Sequence, residues 1–225
     1  MNKYIRQETL KEIGSEGQKK IRKTKIAIIG IGALGTCTAE LLTRAGIGEL
    51  LLIDNDKITI ENIHRQFLFK EKHIGEKKVE VAQKQLKKIN KDVKIKTFSE
   101  YLSKENTNCL DEYNLILDCT DNMATRHIIN EYSKQKNKTW IHAAASGIKG
   151  NVLVVKNPEN FNKIIRTGET FDNCSEIGVV NTITTTISAL QVMQTIKLIL
   201  GDECEEELIR INIWDLTFDK YKIKL

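Results

Sequence analysis

A glycine-rich turn constrains the fold of this chain more than any other part of the sequence. The apolar run "KIAII" leads into "GIGALG", which has the spacing G-x-G-x-x-G. This spacing gives a tight turn, a close approach of the backbone to phosphate groups, and close packing of the following helix on the strand. Asp54 follows about 20 residues later, where an acid can accept hydrogen bonds from ribose hydroxyls. The sequence therefore predicts a nucleotide site whose phosphate contacts include Gly30, Gly32, Ala33 and Gly35.

Apolar runs and helix-like segments alternate along the chain and predict an α/β fold. Strands buried on both faces are typical of a largely parallel sheet with helices on both of its faces. The second half changes character and predicts an antiparallel or mixed continuation, including a hairpin turned by the glycines of "SGIKG". The predicted strands are 25–29, 50–53, 93–98, 115–119, 140–144, 151–156, "IRINIWDL" and "YKIKL"; the predicted helices are 36–45, 76–89 and 185–200; and 159–180 is predicted to be a long loop.

Size and composition predict one globular domain. The chain has 225 residues, of which 40% are hydrophobic and 29% charged. We expect a nucleotide-binding half, 1–135, followed by a half with mixed or antiparallel strands, 136–225. The net charge of +5 comes from lysines interspersed with glutamates, which gives nucleic-acid binding little support. The N-terminus has no secretory apolar segment and no apolar run approaches about 20 residues, so we expect a cytoplasmic protein outside the membrane.

Polar and cationic side chains follow Asp54. Asn62, Arg65 and Gln66 lie in "ENIHRQ", and Lys78 lies in "GEKK". A hydride-transferring enzyme seldom needs two more cations there, whereas a triphosphate carries about four negative charges at neutral pH. The pattern favours ATP over a nicotinamide dinucleotide, although Lys78 taken alone also fits a solvated helix residue.

Asp121 comes just after a predicted buried strand, in "LILDCTDN". The carboxyl ends of parallel strands form the edge where open α/β sheets bind ligands. A carboxylate beside phosphates suits Mg²⁺, which prefers oxygen ligands and keeps several waters. We therefore expect Asp121 to be a Mg²⁺ ligand.

Arg126 fits either a phosphate contact or an ion pair with an acid, and His142 is expected to be a buried structural side chain.

Several motifs in order resemble the ThiF/MoeB/HesA family, the bacterial and archaeal relatives of ubiquitin-activating enzymes. The resemblance covers nearly the whole chain and is carried by "YIRQ", "EGQKKI", "GIGALG", "DNDKITIENIHRQFLF", "IGEKK", "TDNMATR" and "GVVNTITTTISALQVMQTIKLILG". It implies a Rossmann-like ATP site followed by a substrate-binding half, a homodimer, and adenylation of a carboxylate.

The resemblance also implies a role for each matching residue. Asp54 would hold the ribose, and Asp121 would act through Mg²⁺. Arg6 matches an N-terminal arginine that, in family dimers, reaches into the ATP site of the other subunit. Cys174 lies in a loop where members often carry a cysteine, which in some of them bonds covalently to the activated carrier; an unreactive loop thiol fits it equally well. The implied contacts to the ATP phosphates are Asn62, Arg65, Gln66 and Lys78.

The sequence lacks the two C-x-x-C pairs that bind zinc in many members, so no zinc is expected and the acceptor stays open. The first candidate acceptor is the C-terminal Gly-Gly carboxylate of a ubiquitin-like sulfur carrier for thiamin, molybdopterin or tRNA thiolation. The alternative is a small-molecule or tRNA-linked carboxylate, for example a pyridinol acid in methanogens. An NAD-dependent oxidoreductase and a non-catalytic binding module are further alternatives, and the set of cations argues against the second of these.

Overall fold

A mixed β-sheet runs through both halves of the chain. The computed structural model describes residues 2–166 and 177–222, and within them eight strands form one sheet in the order β3-β2-β1-β4-β5-β6-β7-β8. Strands β1 to β5 are parallel, and β6, β7 and β8 are each antiparallel to the preceding strand. The strands are β1 Lys25–Ile29, β2 Glu49–Ile53, β3 Lys94–Phe98, β4 Leu115–Asp118, β5 Trp140–Ser146, β6 Lys149–Val155, β7 Glu207–Asn212 and β8 Thr217–Lys222.

Helices cover both faces of this sheet, which confirms the predicted fold class. Leu42, Val79 and Ile183 belong to the buried core on one face, whereas Ile129 and Phe161 belong to the core on the other. The described helices are α1 Ile5–Glu8, α2 Gly14–Lys23, α3 Ala33–Ala45, α4 Lys78–Ile89, α5 Met123–Lys136, α6 Pro158–Arg166 and α7 Asn181–Leu200. Helices α3, α4 and α7 lie on the first face, and α5 and α6 lie on the second.

The strand order places a switch point between β1 and β4. From β1 the chain moves outward through β2 to β3, and then returns to pair β4 with the other side of β1. At such a point the connections leave the sheet in opposite directions and open a crevice at the carboxyl ends of the strands. The glycine turn follows β1 at this edge.

The loop predicted at 159–180 is wrong for its first part, because α6 spans Pro158–Arg166. Proline is favoured at the first helical position, and the Asn157 side chain accepts a hydrogen bond from the Glu159 amide at 3.0 Å. Phe161 is fully buried, with its ring centroid 4.6 Å from that of Trp140. One anchoring aromatic in a short polar segment was too weak a pattern to predict from periodicity. Residues 167–176 lie outside the described part.

The C-terminal hairpin also differs from prediction. The strand predicted in "IRINIWDL" ends at Asn212, and 213–216 form the turn into β8, where Leu216 has φ +55°. The last strand begins at Thr217, ahead of the predicted "YKIKL", whose final three residues lie outside the described part. The turn contains apolar residues, which is why the sequence pattern predicted a strand there. These residues are not buried, since Trp214 is 79% exposed and Leu216 is 85% exposed.

Helix α7 begins four residues earlier than predicted and is long and apolar enough, by length and composition, to cross a membrane. The expectation that no apolar run approaches about 20 residues is therefore wrong for this segment. Its contacts are those of a core helix, because it packs on α3, β5 and β6. The fully buried Gln191 side chain donates to the carbonyls of Asp118 (2.9 Å) and Ile141 (3.1 Å). A polar side chain used in this way ties the helix to the sheet.

Candidate functional site

Two of the glycines in the turn are required by its geometry. Gly30 has φ +88°, and a Cβ there would lie 2.7 Å from the Cys119 carbonyl oxygen at the end of β4. A Cβ on Gly35 would overlap the carbonyl oxygen of Gly30, so the start of α3 packs directly on the turn. At Gly32 the nearest atom to a Cβ is the Gln66 Nε2, at 3.8 Å. The first turn of α3 therefore faces open space, where its free amides favour an anion.

A cleft opens over this turn at the carboxyl ends of β1, β2 and β4. It lies at the switch point of the sheet and gathers most of the site residues predicted from the sequence. Gly35 is not in its wall, because that glycine serves the packing of α3. The predicted residues that line the cleft are Gly30, Gly32, Ala33, Asp54, Asn62, Arg65, Gln66, Lys78 and Asp121.

Asp54 stands at the end of β2 and is fixed by two backbone amides. Its Oδ2 accepts from the Ile31 amide at 2.6 Å, and its Oδ1 accepts from the Asp56 amide at 2.8 Å. Burial raises the pKa of Asp54, while the charge of Lys78 and these hydrogen bonds oppose the rise. The carboxylate is thus attached to the glycine turn itself, close to where a nucleotide ribose would meet the strand edge.

Lys78, the first residue of α4, extends into the cleft from a buried position. Its Nζ lies 2.7 Å from the Asp56 Oδ2, and the Tyr101 hydroxyl donates to the other oxygen of Asp56 at 3.3 Å. Asp56 and Tyr101 line the cleft as well. The interpretation of this lysine as a solvated helix residue is therefore wrong. It is a buried cation at the wall of the cleft.

The segment after β2 contributes an arginine and two amides. Arg65 is half-buried, and its Nη1 donates to the Glu61 carbonyl at 2.6 Å and contacts the His64 Nε2 at 2.8 Å. The Asn62 Oδ1 accepts from the Thr59 amide at 3.2 Å, which holds this segment in place. Gln66 is 3% exposed, and its buried Oε1 has no hydrogen-bond partner among the described residues. An unpaired buried polar atom beside a cleft is costly unless a ligand satisfies it.

Asp121 follows β4 and lines the cleft with an exposed carboxylate. Among the described residues, no group of three His, Cys, Asp or Glu side chains could hold a metal ion. One carboxylate on a wall that faces a phosphate site nevertheless fits Mg²⁺, since this ion is commonly held by one or two carboxylates together with substrate phosphates and water. Asp121 is therefore suited to share the ion with a bound polyphosphate.

Behind Asp121 lies a buried charged cluster of Asp118, Arg126 and His142, each at most 2% exposed. The Arg126 Nε lies 3.2 Å and the His142 Nδ1 2.8 Å from the Asp118 Oδ2. Burial alone would raise the pKa of Asp118, but Arg126 and His142 hold it below its ordinary value. The prediction of a buried His142 is confirmed, and of the two predictions for Arg126 the structure has the ion pair with an acid.

A further predicted residue, Arg6, is not brought to the cleft. Arg6 is exposed on α1, which lies near the opposite end of the sheet, because its neighbour Tyr4 packs against Gly46 after the C-terminus of α3. The role predicted for Arg6 is in a partner subunit, and its position leaves that prediction open. Cys174 lies outside the described residues.

Sequence reasoning missed part of the cleft wall. Asp56 stands two residues beyond Asp54, and the same rule that selects carboxyl ends of parallel strands applies to Tyr101 and Leu102 after β3. These could have been found from the predicted strands. Thr120 and Ala145 also directly follow predicted strands. Val179 and Thr184 could not have been found in this way, because only the folded chain brings them to the site.

Comparison with known proteins assigns the family. The model of the ThiF family matches residues 4–225. The chain belongs to the ThiF family. Similar curated members include the Sulfur carrier protein ThiS adenylyltransferase of Escherichia coli K12, 34% identical over 214 residues, with 93% of this chain and 85% of that protein covered. Another is the Adenylyltransferase and sulfurtransferase MOCS3 of Aedes aegypti, 35% identical over 210 residues and 89% of this chain.

Family members differ in length and in detail from this chain. It spans about half the length of the MOCS3 relatives, 47% of those from Aedes aegypti and Culex quinquefasciatus. Among solved structures, Escherichia coli MccB with ATP superposes with a TM-score of 0.83 at 23% identity, covering 99% of this chain and 72% of that one. At this identity the likeness supports the ThiF-type fold alone.

Proposed function

We propose that this ThiF-family chain is an adenylyltransferase, which transfers AMP from ATP to a carboxylate and releases pyrophosphate. The observation that carries the proposal is the convergence of two acids, two cations and an amide around one glycine turn, the amide oxygen having no partner in the described part of the chain. The names of the similar family members, which include adenylyltransferases from bacteria and insects, support it. The converging residues are Asp54, Arg65, Gln66, Lys78 and Asp121.

In the proposed complex the nucleotide lies across the carboxyl ends of the strands. The base rests near Leu102 and the apolar ends of β1 and β2, and Asp54 accepts hydrogen bonds from the ribose. The phosphates lie over the first turn of α3, within reach of Arg65 and Lys78. The free Oε1 of Gln66 requires a donor, such as a water on the phosphates, and its Nε2 can donate to a phosphate oxygen.

The chemistry needs no general base. A substrate carboxylate is already ionised at neutral pH, and one of its oxygens attacks the α-phosphorus while the bond to the pyrophosphate oxygen breaks. The chain contributes by positioning the two reactants and by opposing the charge that develops on the phosphate oxygens and the leaving pyrophosphate. Mg²⁺, when bound with the nucleotide, supplies further neutralisation of that charge. Arg65, Lys78 and the ligand Asp121 are the residues proposed to act here.

The acceptor is proposed to enter between β5 and α7. Ala145, Val179 and Thr184 form that side of the cleft, and Gly147 pairs with Val179 in a short parallel bridge, with its amide 2.8 Å from the Gly178 carbonyl. These side chains are small, which suits a slender chain. A C-terminal Gly-Gly of a ubiquitin-like sulfur carrier is the first candidate, supported by the relative named for the carrier ThiS. A small-molecule or tRNA-linked carboxylate is the alternative.

The active unit is proposed to be a homodimer in which Arg6 completes the site of the partner. Arg6 lies near the end of the sheet opposite its own cleft, so it is poorly placed to act within its own subunit. Helix α7 has an apolar composition, but only 39% of its most apolar stretch is buried within the subunit. Met193 on this helix is 53% exposed. An outer face of this kind is suited to a second copy of the chain.

The test is exchange of labelled pyrophosphate into ATP, measured with a panel of acceptors: a carrier ending in Gly-Gly, small acids, and threonylcarbamoyl-modified tRNA. We expect Mg²⁺-dependent exchange with one class and, by the first proposal, with the carrier. Absence of exchange with every class would contradict adenylation. Melting curves with ATP and with NAD separate the oxidoreductase alternative, because a ligand that binds only the folded chain raises its melting temperature.

A further inference from the structure

The buried cluster of Asp118, Arg126 and His142 lies directly beside the cleft. Mutual neutralisation of charge does not by itself explain why a buried ion pair is placed there. Arg126 lines the cleft, yet its Nε turns back to Asp118 at 3.2 Å. The His142 ring packs on Phe161, with centroids 5.4 Å apart, and its Nδ1 lies 2.8 Å from the same oxygen of Asp118. Replacing such buried ion pairs by apolar side chains is often neutral or stabilising, so stability alone is a weak reason for them.

The cluster binds the one backbone unit that precedes Asp121. The Asp118 Oδ1 accepts from the Thr120 amide at 2.9 Å and from the Thr120 hydroxyl at 2.6 Å. The Arg126 Nη2 donates to the Thr120 carbonyl at 2.8 Å. Both backbone polar groups of Thr120 are therefore held by side chains of the cluster, and these contacts set the direction in which the chain enters Asp121.

Asp121 itself has no such support. Within residues 2–166 and 177–222 its carboxylate makes no hydrogen bond or ion pair, and it is exposed to the cleft. Its place relative to the phosphates thus depends on the backbone of the connection between β4 and α5. The helix that follows is capped independently, because the Asn122 Oδ1 accepts from the Thr125 amide at 2.9 Å.

We propose that Asp118, Arg126 and His142 are positioning residues that hold the Thr120 backbone so that Asp121 meets the metal and polyphosphate, with His142 orienting Asp118 through its Nδ1–H. The inference rests on the proposed function, since it names what supports the expected metal ligand. Groups behind a metal ligand typically affect metal affinity or activity by 10- to 100-fold. Burial lowers the pKa of His142, which is consistent with a neutral ring that donates from Nδ1.

Two substitutions of His142 separate positioning from packing. In His142→Asn the side-chain amide can donate from the place of Nδ1, whereas His142→Leu has similar bulk and no donor. We expect His142→Leu to weaken binding of Mn²⁺ in the presence of a non-hydrolysable ATP analogue, measured by electron paramagnetic resonance, by about tenfold. The Mg²⁺ concentration for half-maximal exchange should rise by a similar factor while the KM for the carboxylate acceptor stays the same. His142→Asn should recover most of both losses.

Controls distinguish loss of positioning from loss of fold. Ser133→Ala alters a fully buried hydroxyl on α5 that has no hydrogen-bond partner within residues 2–166 and 177–222, and it should leave Mn²⁺ binding unchanged. If His142→Leu does not fold, Thr120→Val removes only the hydroxyl contact to Asp118 and should still weaken Mn²⁺ binding. Wild-type Mn²⁺ binding in a folded His142→Leu or Thr120→Val protein would overturn the proposal. Because this binding needs no acceptor or turnover, it decides the point even if the wild-type chain catalyses no exchange.

Discussion

Lys78 and Asp56 form an ion pair across the wall of the cleft, with the lysine inside and the acid at the rim. The two atoms lie 2.7 Å apart, and the side chains are 8% and 49% exposed, respectively. A pair with one solvated partner contributes little to stability, on the order of 1 kcal/mol or less. The pair instead holds a buried ammonium in place, where a bound polyphosphate can compete with Asp56 for it.

Lys78→Met should therefore affect the reaction far more than the fold. We expect kcat/KM for pyrophosphate exchange to fall by about 10²- to 10³-fold, or roughly 3–4 kcal/mol of barrier, because a preorganised cation is lost from the phosphates. The melting temperature should change by only a few degrees. Lys84→Met is the matched control on the same helix, since Lys84 is exposed and lies 3.8 Å from Glu76. Similar exchange rates in the two variants would refute the role of Lys78.

Arg65→Ala should have a comparable or larger effect. Loss of an arginine that opposes transition-state charge costs about 10³-fold or more in related phosphoryl transfers. Arg65 makes its hydrogen bonds within its own short segment, so the sheet and its core should remain intact. Steady-state exchange measures the effect, and Arg44→Ala, at an exposed pair with Glu40, serves as the control. Retention of most of the activity by Arg65→Ala would show that the role is misassigned.

Two glycines of the turn should respond to alanine in different ways. Gly35→Ala drives a methyl group into the Gly30 carbonyl and should destabilise the chain by about 3 kcal/mol or more, because backbone on both sides resists movement. Gly32→Ala meets only the Gln66 amide at 3.8 Å, so it should fold but narrow the space for phosphates. Denaturant unfolding and ATP titration measure the two effects. Equal stability of the two variants would contradict this account of the turn.

Arg6 offers a test by mixing subunits. Arg6→Ala and Asp121→Ala homodimers should each be nearly inactive. After subunit exchange, a mixed dimer combines the intact cleft of one chain with the intact Arg6 of the other, so about a quarter of the wild-type activity should return. Recovery is measured by pyrophosphate exchange after co-refolding or incubation. No recovery, despite mixed dimers detected by mass spectrometry, would exclude action of Arg6 across the interface.

The buried His142 should make the stability of the folded chain depend on pH. Burial lowers the pKa of His142 below its ordinary value of 6.5, and the hydrogen bond to Asp118 opposes the shift. In the unfolded chain the His142 ring therefore takes up a proton at a higher pH than it does in the folded chain. The stability that His142 contributes is fully present above pH 6.5 and is lost as the pH falls toward the pKa of the folded state. The melting temperature should fall between about pH 7 and pH 5, less steeply in His142→Asn.

A second buried histidine provides the control for that measurement. Burial also lowers the pKa of His73, so it adds a change of the same sign. The difference between His142→Asn and the wild-type chain isolates the contribution of His142, and His73→Asn gives the size of the other contribution. Identical pH slopes for His142→Asn and the wild-type chain would contradict the assignment.

The sequence predicted the parts of the site that follow strands directly. Gly30, Asp54 and Asp121 each come within a few residues of a buried apolar run, and a parallel sheet brings such positions to one edge. The pairing of Lys78 with Asp56 was not predictable, because it depends on where a helix begins relative to a loop. The cluster around Asp118 was not predictable for a similar reason. Its three residues come from β4, α5 and β5, and no spacing in the sequence relates them.

Errors in the fold arose where local pattern and tertiary packing disagree. Helix α6 depends on one buried aromatic, Phe161, and on a cap at Asn157. The turn at 213–216 carries exposed apolar residues that read as strand. Long, strongly patterned elements were placed within a few residues, as α4 and β3 show, because burial on a sheet fixes their periodicity.

The proposed reaction begins with attack of a carboxylate oxygen on the α-phosphorus of ATP in this cleft. The most direct measurement uses an acceptor that supports exchange, labelled with ¹⁸O in its carboxylate, followed by capture of the acyl group with hydroxylamine. We expect pyrophosphate and, after the capture step, AMP that carries one ¹⁸O atom from the acceptor. AMP with oxygen from solvent alone, or ADP and phosphate as products, would contradict it.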